Sequence, residues 1–178
     1  VLLNFFTGKY HKPVAETRIF MFADMKDSTS IAEQLGHIQY FELLKSYYFD
    51  LSNAIVKNNG EVYQYIGDEI VISWKLKNGL ERNYCLQCFF DMKADLLKRK
   101  NTYLQKYGVF PDFKAALHFG EVTTGEIGAL KKEIFFTGDV LNTTARIQGI
   151  CNEYGVDLLV SKVLIDQLDF GNEYSVQI

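Results

Sequence analysis

Glu61-Val62-Tyr63-Gln64-Tyr65-Ile66-Gly67-Asp68-Glu69-Ile70-Val71-Ile72-Ser73-Trp74 reads as two β-rich runs parted only by Gly67-Asp68. So short a connection joins antiparallel neighbours, and the segment is a hairpin. Upstream, Arg18 to Ala23 is a compact β-type run that ends in Asp24. Between them, Asp27-Ser28-Thr29-Ser30 offers N-caps to a helix. Phe41, Leu44, Tyr48, Leu51 and Ile55 then recur at steps of three and four, as one long amphipathic helix closed by Asn58-Asn59-Gly60.

Downstream of the hairpin, Leu80 to Tyr107 carries helical periodicity through Tyr84, Cys88, Met92 and Leu96. Strands are expected at Phe113 to Phe119, at Glu121 to Ile127 and near Ile134 to Thr137. A helix follows from about Val140 to Cys151, then a strand at Asp157 to Val160, a helix from Ser161 and a last strand. Hairpins dominate this order. It predicts an α+β fold with a mainly antiparallel sheet, helices on one face and a ferredoxin-like core.

The 178 residues suit one domain with a full core, and 14 Phe and 11 Tyr supply much of its apolar area. Net charge is −3 and no basic stripe stands out, which argues against a nucleic-acid partner. Lys98-Arg99-Lys100 reads as a solvated helix end. Three cysteines at irregular spacing do not form a disulfide framework, and a reducing, cytoplasmic setting is expected. Cys85 and Cys88 form a CxxC but share an apolar helix face with Phe89 and Met92, so they read as buried thiols rather than a zinc or redox pair. No apolar run approaches the roughly 18–20 residues that span a bilayer. Residues 1–17 read as a linker or helix segment, its Val1-Leu2-Leu3-Asn4-Phe5-Phe6 ending a helix from an upstream module or packing on the domain. Residues 18–178 form the functional domain. A membrane anchor or sensor module would lie outside these residues.

Asp24 at a strand end and Asp68 at a hairpin tip are the pair that matters. In a split β-α-β-β arrangement the first strand lies beside the hairpin, so both carboxylates project from one sheet edge. Two oxygen-ligated cations roughly 4 Å apart can activate a hydroxyl and hold phosphates undergoing displacement. Mg²⁺ suits such a site because it takes few carboxylates and keeps phosphate ligands. The backbone amides of Lys26, Asp27, Ser28 and Thr29, at a helix start, could meet a phosphate tail. Taken singly, Asp24 and Asp27 could merely cap that helix, and Asp68 could merely make a turn. Strand-end Asp together with hairpin Gly-Asp favours metal.

Four segments, in order across about residues 18 to 165, resemble the class III adenylyl and guanylyl cyclases. Phe22-Ala23-Asp24-Met25-Lys26-Asp27-Ser28-Thr29 is similar to their F-x-D-[IM]-x-x-[FS]-T segment, and Ile66-Gly67-Asp68-Glu69 to their second metal segment. His118-Phe119-Gly120 with Gly125-Glu126-Ile127-Gly128 resembles their glycine-marked hairpin. Gly138-Asp139-Val140-Leu141-Asn142-Thr143-Thr144-Ala145-Arg146 resembles their G-[DN]-x-V-N-x-[AT]-x-R helix. One such match is weak, whereas four in order are specific.

The resemblance implies the class III nucleotide cyclase fold and two Mg²⁺ or Mn²⁺ ions on Asp24, Asp68 and the Met25 carbonyl. It implies that Asn142 positions the ribose and that Arg146 stabilises charge developing on the phosphates. Those two, four apart on one helix face, would come from the opposite subunit of a head-to-tail homodimer. The product would be a cyclic nucleotide, cAMP where ATP is the substrate. At the base-reading positions stand Gln64 and Phe135, which match neither the adenine pattern nor the guanine pattern. Gln64 both donates and accepts, and Phe135 can stack without reading an edge. ATP is the default, with GTP and pyrimidine triphosphates open. The family's phosphate-binding Lys, after the last strands, has no counterpart here, since Lys162 comes too early; it is expected beyond Ile178. Two other readings compete: a cyclase-like module that binds nucleotide without turnover, and a diguanylate cyclase, whose Gly-Gly-Asp-Glu-Phe loop is absent.

Overall fold

The computed structural model describes residues 12–128, 132–170, 174, 175 and 177. Its central strand, β1 (Val14–Met25), is buried on both sides, because Ile19, Phe20, Met21, Phe22 and Ala23 supply apolar groups to two faces in alternation. It begins inside the segment expected as a linker. The expected apolar helix at Val1 to Phe6 lies outside the described residues.

The hairpin forms as read, from β2 (Glu61–Ile66) and β3 (Glu69–Lys75), with a bulge at Tyr63 and Gly67 at φ 63. β3 and β4 (Phe113–Ile127) flank β1, both antiparallel, and β5 (Glu133–Thr137) extends β4. The order is β2-β3-β1-β4-β5, and β6 (Leu158–Val160) runs parallel to the first half of β4.

The helical layer on one face contains α1 (Ser28–Lys57), α2 (Leu76–Leu80), α3 (Tyr84–Lys98) and α4 (Lys100–Tyr107). Its core joins Ile19, Met21 and Ala23 of β1 to Leu43, Tyr47, Leu51, Met92 and Leu96. The inward stripe of α1 is Leu43, Tyr47, Leu51, Ala54 and Ile55: Leu51 and Ile55 are as expected, Leu43 and Tyr47 lie deeper than the expected Leu44 and Tyr48, which pack at the core's edge, and Phe41 is 63% exposed. Apolar residues cover more than one side of this helix, so spacing alone admits two phases. Gly36, at φ 73, also breaks α1 into two stretches. The side-chain N-caps do not form: Asp27 sits at φ 55, and only its carbonyl serves, accepting from the Ile31 amide at 2.9 Å. The long periodicity from Leu80 is interrupted at Glu81–Asn83, a 3₁₀ turn in which Arg82 and Asn83 take positive φ. Cys85 and Cys88 are buried thiols, as read, and burial pushes Cys85 up to about 12.

Two corrections concern the other face. Phe113 to Ile127 is one strand, not two, and Gly120 makes no turn. A Cβ there would meet the Val140 side chain at 3.1 Å, so the glycine makes room for a helix above the sheet. That helix, α5 (Asp139–Gly149), packs Val140 against Phe20, Phe22, Val71, Val122 and Phe136, opposite the helical layer. Helices therefore flank both faces. α6 (Cys151–Tyr154) and α7 (Lys162–Ile165) follow α5 and β6, and among the described residues no strand comes after them. Nor, among those residues, is any helix long and apolar enough to cross a membrane.

Gly138 fixes how α5 leaves β5. A Cβ there would stand 2.6 Å from the Glu121 carbonyl oxygen, which is backbone and cannot step aside. Gly138→Ala is expected to cost about 1–3 kcal/mol and to lower the melting temperature by roughly 2–4 °C per kcal/mol. Calorimetry checks this, and an unchanged transition would mean that the contact relaxes freely.

Candidate active site

Asp24, next to last in β1, lies on the α5 face, in register with Glu69 of β3 and Lys114 of β4. The Gly67-Asp68 turn reaches the same end of the sheet, where the Asp68 carboxyl comes near enough to Asp24 to disfavour its ionisation. Asp24 Oδ2 accepts from Gln148 Nε2 at 3.2 Å and lies 3.8 Å from Lys114 Nζ. Burial, then contact with Asp68 and its charge, pushes the Asp24 carboxyl up to about 6. Burial and the two aspartates push Glu69 to about 7. The Tyr48 hydroxyl holds the turn in place, donating to the Gly67 carbonyl at 2.7 Å, with the Glu69 carbonyl at 3.3 Å.

Among the described residues, Asp68 Oδ2 is shut off from solvent without a hydrogen-bond partner. A buried carboxylate oxygen lacking a donor, beside two more carboxyls, is costly. A hard divalent cation offsets that cost, because it takes oxygen ligands and tolerates a site with few carboxylates. The donor set therefore fits Mg²⁺ or Mn²⁺. Among the described residues no three His, Cys, Asp or Glu side chains are gathered so as to hold a metal ion by themselves, so further ligands would come from water or substrate.

Beside Asp68 opens a cleft of about 470 Å³ lined by Ser28, Thr29, Glu33, His37 and Tyr40. Met25, the last residue of β1, is buried. Lys26 is a correction. Its amide donates to the Asp112 carbonyl at 2.9 Å and its ammonium pairs with Asp112 and Asp157, so neither is free for a phosphate. Gln64, after the bulge in β2, is exposed, and Phe135 on β5 is 41% exposed. Neither side chain has a hydrogen-bond or ring partner among the described residues. The aromatic that meets β2 is Phe136, with its ring 4.7 Å from Tyr63.

Along α5, Val140, Thr144 and Gln148 form the buried stripe, while Asn142 and Arg146 are exposed. Two residues are roughly 200° around a helix, so Arg146 turns away from the aspartate that Gln148 touches. Neither Asn142 nor Arg146 has a side-chain partner among the described residues. Sequence reasoning missed Gln148, Lys114 and Tyr48. The stripe spacing of Val140, Thr144 and Gln148 could have signalled Gln148, whereas Lys114 needed the strand register.

Residues 10–177 match the family described as the adenylate and guanylate cyclase catalytic domain. The chain is 34% identical over 168 residues to adenylate cyclase 2 of Rhizobium meliloti (strain 1021), an alignment that covers 94% of this chain and 46% of that protein. It spans less than half the length of the curated relatives it matches. Among solved structures, a bacterial light-regulated adenylyl cyclase superposes with a TM-score of 0.80 at 20% identity, over 89% of this chain and 46% of that one. The guanylyl cyclase Cya2 superposes with a TM-score of 0.77 at 18% identity, over 88% and 80%. At these identities the two structures speak for the fold alone.

Proposed function

The chain belongs to the adenylate and guanylate cyclase catalytic-domain family, and on that premise we propose that it converts ATP into 3′,5′-cyclic AMP and pyrophosphate. The site lies between two head-to-tail copies. One copy contributes Asp24, Asp68 and the Met25 carbonyl, and the other contributes Asn142 and Arg146. The observation that carries this reading is the paired aspartates, with a buried, donorless oxygen on Asp68.

The ribose 3′-oxygen forms a bond to the α-phosphorus as the bond from that phosphorus to the bridging oxygen breaks. Pyrophosphate leaves with the electron pair, and the hydroxyl proton passes to water. Asp24, Asp68 and the Met25 carbonyl would hold two divalent ions, which would supply activation of that hydroxyl and neutralisation of the triphosphate. Ser28 and Thr29, lining the cleft beside Asp68, receive the outer phosphates. Asn142 orients the ribose by hydrogen bonding. Arg146 meets the charge growing on the phosphates with a permanent cation in fork geometry. Its exposure on α5, turned from its own Asp24, supports service to a second copy. Gln64 meets the base edge and Phe135 its face.

Adenine is favoured by the adenylate cyclase relative at 34% identity. Product analysis with ATP, GTP, CTP and UTP in parallel, each with Mg²⁺ and Mn²⁺, tests the reading. Cyclic AMP as the main product, lost on chelation, is expected. A folded dimer that makes no cyclic product from any triphosphate would reduce the chain to a nucleotide-binding module.

A further inference from the structure

Behind the aspartates, four charged side chains from four segments close into one cluster. Lys26 Nζ bridges Asp112 Oδ2 at 3.0 Å and Asp157 Oδ1. Lys93 Nζ bridges the remaining oxygens, Asp112 Oδ1 at 2.5 Å and Asp157 Oδ2 at 2.8 Å. Two cations thus alternate with two anions, and the cluster is neutral. It is also anchored to the backbone: Lys93 donates to the Phe113 carbonyl, and the Lys26 amide donates to the Asp112 carbonyl.

Exposed single pairs contribute little to stability. Here each cation is shared, all four groups are at least half buried, and removing either lysine would leave two carboxylates with a single cation between them. The anchored residue lies two positions beyond Asp24. It immediately precedes Asp27, whose φ of 55 is a left-handed backbone that a non-glycine residue holds only when its surroundings impose it. Lys26, tied by main chain and side chain to the same Asp112, fixes the chain on the N-terminal side of that residue.

We propose that Lys26, clamped by Asp112, Asp157 and Lys93, is a positioning residue that sets the affinity of the aspartate site for divalent cations. This role replaces the phosphate contact expected of Lys26, and it rests on the cation reading of Asp24 and Asp68. Lys93 lies on α3 and reaches that site only through the cluster.

The test is Mn²⁺ titrated into the whole chain with α,β-methylene-ATP, the free ion being read by electron paramagnetic resonance, with melting temperature measured alongside. Lys26→Met is expected to weaken Mn²⁺ binding about tenfold, the scale of lost outer-shell support at metal sites. Lys93→Met should act in the same direction, and Lys26→Arg, which keeps a cation between the carboxylates, should restore most of the affinity. Asp157→Asn opens the cluster with little change in shape, and stands in if Lys26→Met does not fold. A lower melting temperature with unchanged Mn²⁺ affinity, in Lys26→Met or Asp157→Asn, overturns the inference and leaves the cluster merely structural. Asp68→Asn separates this failure from that of the underlying reading. If Asp68→Asn binds Mn²⁺ like the parent, the aspartate site itself is wrong; if it loses Mn²⁺ while Lys26→Met does not, only the positioning role fails.

Discussion

Asp24→Ala and Asp68→Ala are each expected to reduce cyclic nucleotide formation by roughly a thousandfold or more. Divalent ions supply several kcal/mol of charge stabilisation in phosphoryl displacement, and each 1.36 kcal/mol is about a factor of ten in rate. The fold should not suffer. Asp24 is raised to about 6 by burial and by Asp68, so its ionised form opposes folding. That penalty is absent below the ordinary carboxylate range and grows as the pH rises through about 6. Replacing Asp24 by alanine removes the penalty, and the melting temperature at neutral pH should hold or rise. Turnover within tenfold of the parent in a folded Asp24→Ala chain would remove the cation site from the mechanism.

Arg146→Ala should cost about a thousandfold, the lower end for an arginine that meets charge on a transferring phosphoryl group. The sharper expectation concerns mixtures. A dimer of one Asp24→Ala chain and one Arg146→Ala chain has one dead site carrying both lesions and one site with neither. Differently tagged chains, each inactive alone, should regain a large part of the activity when co-purified as heterodimers. Arg146 is exposed without a side-chain partner among the described residues, and it points away from its own Asp24, so rescue across the interface is the direct consequence. Verified heterodimers that stay silent would place each site within a single chain.

What the sequence disclosed was local. The Gly67-Asp68 turn, the strand carrying Asp24 and the helix bearing Asn142 and Arg146 are set by neighbours in the chain, and each forms as expected, although the strand starts earlier and ends at Met25. Misreadings arose where distant contacts decide. Gly120 looks like a turn residue in isolation, and only Val140 resting above it explains why the strand runs on. In the first half of α1 Leu43 and Tyr47 are buried more deeply than Leu44 and Tyr48, because the apolar residues there allow two phases and contact with α3 and the sheet selects one. Lys26 sits inside a phosphate-type motif, yet Asp112 and Asp157, far along the chain, claim both its amide and its ammonium. Gln148 and Lys114 flank Asp24 through helix docking and strand register, which no linear pattern displays.

The three cysteines have a practical consequence for studying the assembly. Cys85, Cys88 and Cys151 are all buried, and burial holds every thiol in its protonated, unreactive form. A single cysteine introduced on an exposed surface would take a spin or fluorescent label against a quiet native background. Spectroscopic rulers across the proposed dimer can therefore be built on this chain without first replacing its cysteines.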